Sequence, residues 1–283
     1  MQEFSTLDDG KLQHVYDAPV AVIIPVYHGD EAALFDRALR SVEEQDYPGE
    51  VRIYIGVDGP ISDSLEAVIS QHRDSLLRII RNDENMGLAR TLNRLLDALE
   101  SEAFVFRMDS DDHAYPYRIS RQIRAMHDKP HIDILGGAIN EVNRSGVVLK
   151  TIRHPKDNAR ISKYIARRNP LAHPTVCFRR RAIKRFRYYP ETSISQDWAL
   201  WFKCLHQGLT LSNIDDVLVD MTVSEKFFGR RGATRAAEEF MISMRGINRL
   251  HGVTWRMIYP VLRYLFRRFP TGLIKLVYKS GLR

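Results

Sequence analysis

AVIIPVYHGDEAALFDRALRSVEEQDYPGEVRIYIGVDG (21–59) decides the fold. Its first six residues, AVIIPV (21–26), form an apolar run of strand length. DEAALFDRALRSVEEQ (30–45) then sets Leu34, Ala38, Leu39 and Val42 on one helical face, and VRIYIGV (51–57) alternates Val51, Ile53, Ile55 and Val57 with Arg52, Tyr54 and Gly56. A second helix is expected near Asp63, which can cap it with Glu66 three residues on. LLRII (76–80) reads as a strand, and LARTLNRLLDALE (88–100) as a helix with Leu88, Leu92, Leu95, Leu96 and Leu99 in one stripe. FVFRM (104–108) closes the series as a fourth strand. Alternating strands and helices at this spacing predict an α/β fold with a mostly parallel central sheet and helices on both faces.

Such a sheet binds ligands outside the carboxyl ends of its strands. The residues that fall there are Pro25 to His28, Asp58 and Gly59, Asn82 to Gly87, and Asp109-Ser110-Asp111-Asp112. Downstream the pattern weakens. IDILGGAI (132–139) and TVCF (175–178) read as strands, and QDWALWFKCLHQ (196–207) as a helix with Leu200, Cys204 and Leu205 inward. SEKFFGRRGATR (224–235), with two glycines and three arginines, reads as a mobile loop.

Composition narrows the function. The 283 residues are 44% hydrophobic and 27% charged, enough to bury a sizeable core. Cys177 and Cys204 form no CxxC pair, which excludes a disulfide framework or a Cys-rich zinc site and fits a reducing compartment. No run of 18 apolar residues occurs, and MQEFSTLDDGKLQHVYD (1–17) lacks the basic flank and apolar stretch of a signal peptide. The net charge of +7 is local: nine of the 42 basic residues and none of the 35 acidic ones follow Glu239, so residues 1–239 carry −2. That asymmetry suits an anionic surface met by one end of the molecule, and argues against a nucleic-acid groove. The tail WRMIYPVLRYLFRRFPTGLIKLVYKSGLR (255–283) interleaves Trp255, Tyr259, Leu262, Leu265, Phe266 and Phe269 with cations, as a helix in a lipid headgroup layer would, interrupted at Pro260 and Pro270.

The carboxylates of DSDD (109–112) follow an apolar strand, where one or two can hold a hard divalent cation that bridges a diphosphate. Neither GxxxxGK[ST], GxGxxG nor GxSxG occurs, so P-loop, dinucleotide-binding and serine-hydrolase readings lose their main support.

AVIIPVYHG (21–29), VDG (57–59), Asn85-Met86-Gly87 with Leu88 and Asn93, RMDSDD (107–112), Pro116-x-Arg118-x-x-x-Gln122, His173-Pro174-Thr175 and Gln196-Asp197-Trp198-x-x-Trp201 together resemble the family 2 glycosyltransferases, closest to bacterial enzymes of O-antigen and exopolysaccharide synthesis. The resemblance covers roughly 18–235. It implies a GT-A fold, a nucleotide-sugar donor, a divalent metal (Mn²⁺ or Mg²⁺) and inversion at the anomeric carbon. By the same resemblance Pro25, Val26 and Tyr27 line the nucleotide pocket. Asp58 accepts the N3–H of uracil, pointing to a UDP-sugar, and Asn85, Gly87 and Ser110 lie on the donor side. Asp111 is the main metal ligand, with Asp109 against the ribose or behind the metal and Asp112 assisting; how the three divide the work stays open. Arg230 and Arg231 resemble a basic loop that folds over the donor. Asp197 resembles the catalytic base. Three positions depart from the family pattern. Gln196 replaces a common Glu, Val57 replaces a second Asp, and Leu92 replaces an Arg, leaving phosphate contact to Arg90 or Arg81.

Plainer readings stand beside these. Asp58 can be a turn residue, Asp197 a helix cap, Trp198 and Trp201 core, Arg230 and Arg231 a solvated turn, and His154 and His173 structural. The expected organisation is an extension at 1–17, a GT-A domain at 18–239 with a nucleotide-binding half (18–130) and an acceptor-binding half (131–239), and a basic amphipathic membrane-associating tail at 240–283. The expected activity is sugar transfer to a lipid-linked oligosaccharide, with the protein cytoplasmic and peripheral on the inner membrane face, without nucleic acid. A sugar nucleotidyltransferase is the enzymatic alternative, but VYHGDEA has no Gly-rich phosphate loop. A non-catalytic membrane or nucleic-acid adaptor is the other, against which Asp111 and Asp197 are both intact.

Overall fold

The computed structural model describes residues 18–192, 194–223 and 233–266. The expected extension at 1–17, Arg230, Arg231, Pro270 and the rest of 267–283 lie outside the described residues.

Four strands, β1 (Val20–Tyr27), β2 (Val51–Asp58), β3 (Leu76–Asn82) and β4 (Phe104–Arg107), run parallel in the order β3-β2-β1-β4. Side chains alternate across a strand, and β1 shows what that does here. Ala21 and Ile23 belong to one core cluster, while Val20, Val22, Ile24 and Val26 belong to another. An unbroken apolar run therefore means burial on both faces. Helices α1 (Ala32–Glu43) and α2 (Asp63–Gln71) cover one face, and α3 (Leu88–Asp97) covers the other with Leu92 and Leu95 fully buried.

The sheet continues without a break into the second half. β4 pairs antiparallel with β8 (Cys177–Arg179), which pairs with β6 (Ile134–Val142). β6 runs parallel to β9 (Leu211–Thr222), which holds β5 (His113–Ala114), and β7 (Val148–Ile152) lies beside β6. The remaining helices are α4 (Arg118–Asp128), α5 (Asn158–Tyr164), α6 (Arg180–Phe186), α7 (Gln196–His206), α8 (Ala233–His251) and α9 (Ile258–Phe266).

Several expectations shift by a residue or more. Phe35, not Leu34, fills the inner face of α1. The α2 cap is Ser62, whose Oγ accepts from Leu65 N, and Asp63 and Glu66 instead put negative charge in the first turn. Thr175 lies outside β8, in a 3₁₀ turn at His173–Thr175 that contains Pro174. The last residues of 224–235 already belong to α8. The C-terminal helix is not interrupted at Pro260, which sits in the first turn of α9, where its missing N–H costs nothing. The chain breaks earlier, at Gly252 with φ +70°.

Candidate active site

The carboxyl ends of β1, β2 and β3 meet in register: Tyr27 pairs with Asp58, and Asp58 with Asn82. Asp58 is buried, and its carboxylate is largely consumed within the protein. Oδ1 accepts from Asn82 Nδ2 (2.8 Å) and Met86 N (2.8 Å), and Oδ2 from Gly87 N (2.9 Å). It therefore shapes the 82–87 loop as well as ending a strand. Gly59, at φ +80°, lets that loop pass, since a Cβ there would lie 2.6 Å from Asn85 N. Asn85 is exposed and Gly87 half-buried at φ +87°.

On β1 the expected pocket wall divides. Pro25 and Tyr27 are half-buried, but Val26 is 1% exposed within the core, because strand alternation turns it away from the edge. Val26 is thus corrected to a core residue. A tight turn follows: Asp30 N donates to Tyr27 O, and Tyr27 N to Asp30 Oδ2 (3.0 Å). Ser110 Oγ donates to the same Asp30 oxygen at 2.7 Å, stitching the turn after β1 to the turn after β4.

The DSDD carboxylates separate into three environments. Asp109 is clamped by Arg107, whose Nη1 donates to Oδ2 at 2.7 Å and whose Nη2 donates to Oδ1; the guanidinium is only 2% exposed. Asp112 is fully buried, with Oδ1 accepting from Thr222 N (3.1 Å) and Oδ2 without a partner among the described residues. Asp111 is half-buried, and its backbone oxygen is held by Thr222 Oγ1 (2.7 Å) and Arg37 Nη2 (3.4 Å). Among the described residues its carboxylate receives no hydrogen bond. Burial first, then the charges of Asp109 and Asp30, push its pKa up to about 7. Burial beside Asp109 and Asp111 drives Asp112 up as well. Among the described residues no three His, Cys, Asp or Glu side chains are grouped to hold a metal, so the division of work that was left open among Asp109, Asp111 and Asp112 shows here as three different surroundings. Arg107 takes Asp109 and Thr222 takes half of Asp112.

Asp197 opens α7 from the other half of the chain. Its Oδ1 accepts from Trp198 N (2.8 Å) and its Oδ2 from Asn169 Nδ2. Burial raises its pKa, against the pull of those two donors and of the Arg107 charge, while Asp109 pushes it further up. Trp198 and Trp201 are core, at 4% and 0% exposure. His173 is buried against Tyr189, with Nε2 and Oη 3.0 Å apart, and burial drives its pKa well down. Burial likewise pushes His154 down to about 4. Arg81 pairs with Glu66 and Arg90 with Glu191, both at the surface.

Sequence reasoning missed Asn169, Thr222 and Arg37. Arg118 and Gln122 are scaffold: Arg118 Nη2 donates to Arg107 O (2.7 Å), and Gln122 Nε2 to Leu135 O and Thr175 O.

The profile of the family described as "Glycosyl transferase family 2" matches residues 21–188, spanning the parallel strands, DSDD and the 3₁₀ turn. The chain belongs to that family. This family 2 glycosyltransferase is 27% identical over 263 residues to the amylovoran biosynthesis glycosyltransferase AmsE of Erwinia amylovora, covering 92% of this chain and 98% of that one. It is 28% identical over 270 residues to the UDP-Gal:alpha-D-GlcNAc-diphosphoundecaprenol beta-1,3-galactosyltransferase of Escherichia coli, covering 93% and 96%. Among solved structures, the mannosyltransferase PcManGT of Pyrobaculum calidifontis, in complex with GDP-Man and Mn²⁺, superposes with a TM-score of 0.60 at 18% identity, covering 94% of this chain and 81% of that one. S. aureus TarS does so at 0.60 and 20% identity, covering 89% of this chain, which spans 43% of that longer one. The likeness to these structures is one of fold, and the fold is GT-A.

Proposed function

We propose that this glycosyltransferase moves a sugar from a nucleoside diphosphate donor, a UDP-sugar, to a hydroxyl of a lipid-linked oligosaccharide in bacterial surface polysaccharide synthesis. Residues 18–130 bind the donor and 131–239 the acceptor, on the cytoplasmic face of the membrane. One observation carries the reading: past the carboxyl ends of the parallel strands, Asp111 presents a carboxylate that receives no hydrogen bond among the described residues, while Asp197, from the other half of the chain, is buried, has both oxygens held, and has its pKa raised by that burial.

In a single displacement the acceptor hydroxyl loses its proton as its oxygen attacks the anomeric carbon, and the nucleoside diphosphate departs from the opposite face. Asp197 takes that proton. Trp198 N and Asn169 fix its oxygens, and burial makes it a stronger base than an ordinary carboxylate near pKa ~3.9. The Arg107 clamp holds Asp109 for a donor hydroxyl, and Tyr27 and Pro25 wall the base. Asp58 has lone-pair capacity left on Oδ2, which accepts one hydrogen bond from the described residues, for the N3–H of uracil.

The residues fit a divalent cation. Among the described residues the Asp111 carboxylate receives no hydrogen bond, and its pKa is lifted by burial first and then by the charges of Asp109 and Asp30; the buried Asp112 Oδ2 likewise finds no partner among them. Asp111, with help from Asp112, would hold it, leaving other positions to water and phosphate oxygens as Mn²⁺ and Mg²⁺ prefer. Such an ion supplies neutralisation of charge on the leaving diphosphate.

The test is release of nucleoside diphosphate from a panel of nucleotide sugars with Mn²⁺ and a lipid-diphosphate-linked acceptor. Turnover is expected to stop with chelator and to fall at least 10²-fold in Asp111→Ala and in Asp197→Ala. Unchanged turnover in Asp197→Ala ends its assignment as the base. Pyrophosphate release from a nucleoside triphosphate and a sugar phosphate would instead identify a nucleotidyltransferase.

A further inference from the structure

Of the twelve large apolar side chains that stand exposed among the described residues, six lie between 241 and 265: Met241, Val253, Trp255, Ile258, Leu262 and Leu265. Ile258, Leu262 and Leu265 follow i, i+4, i+7 spacing and so share one stripe of α9. The other side of this segment is anchored. Pro260 is buried, and Met257 and Tyr259 pack on the core cluster that contains α7. The Arg167 guanidinium lies 4.8 Å over the Tyr259 ring, and that of Arg263 lies 4.7 Å over Trp198, the residue after Asp197. The fold therefore holds an apolar stripe outward on a braced helix.

Charge selects what meets it. Arg245 and Arg249 are exposed on α8, Arg256 lies against Trp255, and among the described residues none of these three forms an ion pair. No acidic residue follows Glu239 in the sequence. A second copy docked about a two-fold axis would oppose these cations to themselves. An anionic bilayer neutralises them and accepts the stripe, with Trp255 suited to the headgroup level. The segment also lies beyond residues 21–188 matched by the family profile.

We propose that Val253, Trp255, Ile258, Leu262 and Leu265 form a docking face for an anionic lipid bilayer, seating α9 in the headgroup layer and α7 directly behind it. The choice of partner rests on the transferase reading, since a lipid-linked acceptor is presented at such a surface; the binding itself needs neither donor nor acceptor.

The 283-residue chain is mixed with vesicles of phosphatidylglycerol and phosphatidylcholine, or of phosphatidylcholine alone, and co-sedimentation is measured. Binding is expected on the phosphatidylglycerol vesicles, weakening steeply with salt. Tryptophan emission should shift to the blue, a change that reads Trp255 because Trp198 and Trp201 are already buried. Leu262→Gln/Leu265→Gln should lose at least tenfold in vesicle affinity. Arg245→Gln and Arg249→Gln should each lose about fivefold, on the anionic vesicles alone. Both sets should keep the wild-type thermal stabilisation by UDP-sugar and Mn²⁺, which reports an intact fold and donor site. Equal binding to both vesicle types, no binding, or full binding by the double glutamine variant overturns the proposal. So does a concentration-dependent dimer that the double variant abolishes. A chain that binds vesicles yet turns over no nucleotide sugar leaves this face standing and removes only the transferase reading.

Discussion

Asp197 is held at both oxygens, and the two donors differ in what they control. Trp198 N comes with the helix, whereas Asn169 comes from a separate loop and can be removed without touching α7. Asn169 hydrogen-bonds the charged carboxylate and so lowers its pKa; deleting it raises the pKa further above the ordinary range. Asn169→Ala is therefore expected to move the acid limb of the kcat profile to higher pH and to lower kcat about tenfold at neutrality, while donor KM changes little. An unshifted limb would mean that Asn169 serves only the loop. Gly29 makes a second residue-scale case. A Cβ there would lie 2.6 Å from three atoms at the far end of the Tyr27 side chain, which can swing aside cheaply. Gly29→Ala should leave the melting temperature within about 2 °C of wild type yet raise donor KM several-fold, measured by initial rates, if Tyr27 walls the nucleotide.

Helices α1 and α2 meet at a histidine that the sequence pattern did not single out. His72 follows the last turn of α2 and bridges Asp36 (2.9 Å) and Glu43 (2.8 Å) of α1 through its two ring nitrogens. Burial disfavours the charged ring, but the hydrogen bonds to Asp36 and Glu43 outweigh it, so the folded pKa is raised; Arg40 shares Asp36. The stability this bridge contributes is fully present below the unfolded pKa of ~6.5 and is lost as pH rises through the folded value. His72→Gln is expected to cost roughly 1–2 kcal/mol at pH 5.5 and much less at pH 9, by urea unfolding at the two values. A constant difference across that range would show that packing, not charge, joins the helices. The same contrast runs through the whole fold. α3 was legible because Leu92, Leu95 and Leu96 repeat at the helical period with no competing pattern. β9 was not, because its burial depends on parallel pairing with β6 across more than sixty intervening residues, which no local period reveals.

At the scale of the molecule, the two halves of the chain share one sheet, and the site is closed by long-range hydrogen bonds to backbone. Asp109, Asp111 and Asp197 stand out in the sequence through the family resemblance of RMDSDD (107–112) and Gln196-Asp197-Trp198. Thr222 and Arg37 do not: they hold the Asp111 carbonyl and each other from 185 positions apart, and many residue types can offer a donor to a carbonyl. What they hold in place is an electrostatic conflict. Asp111 keeps its carboxylate beside Asp109, Asp30 and Asp112 with no hydrogen bond among the described residues, an arrangement that lowers the stability of the metal-free chain. Asp111→Asn preserves the shape and removes the charge. In chelator it is expected to melt higher than wild type by about 2 °C, on the order of 1 kcal/mol for a chain of this size. With Mn²⁺ and UDP-sugar the order should reverse, because wild type gains the binding energy of its ligands and the variant does not. If scanning calorimetry finds the variant less stable in chelator, the Asp111 charge is satisfied within the protein and its carboxylate is not reserved for a cation.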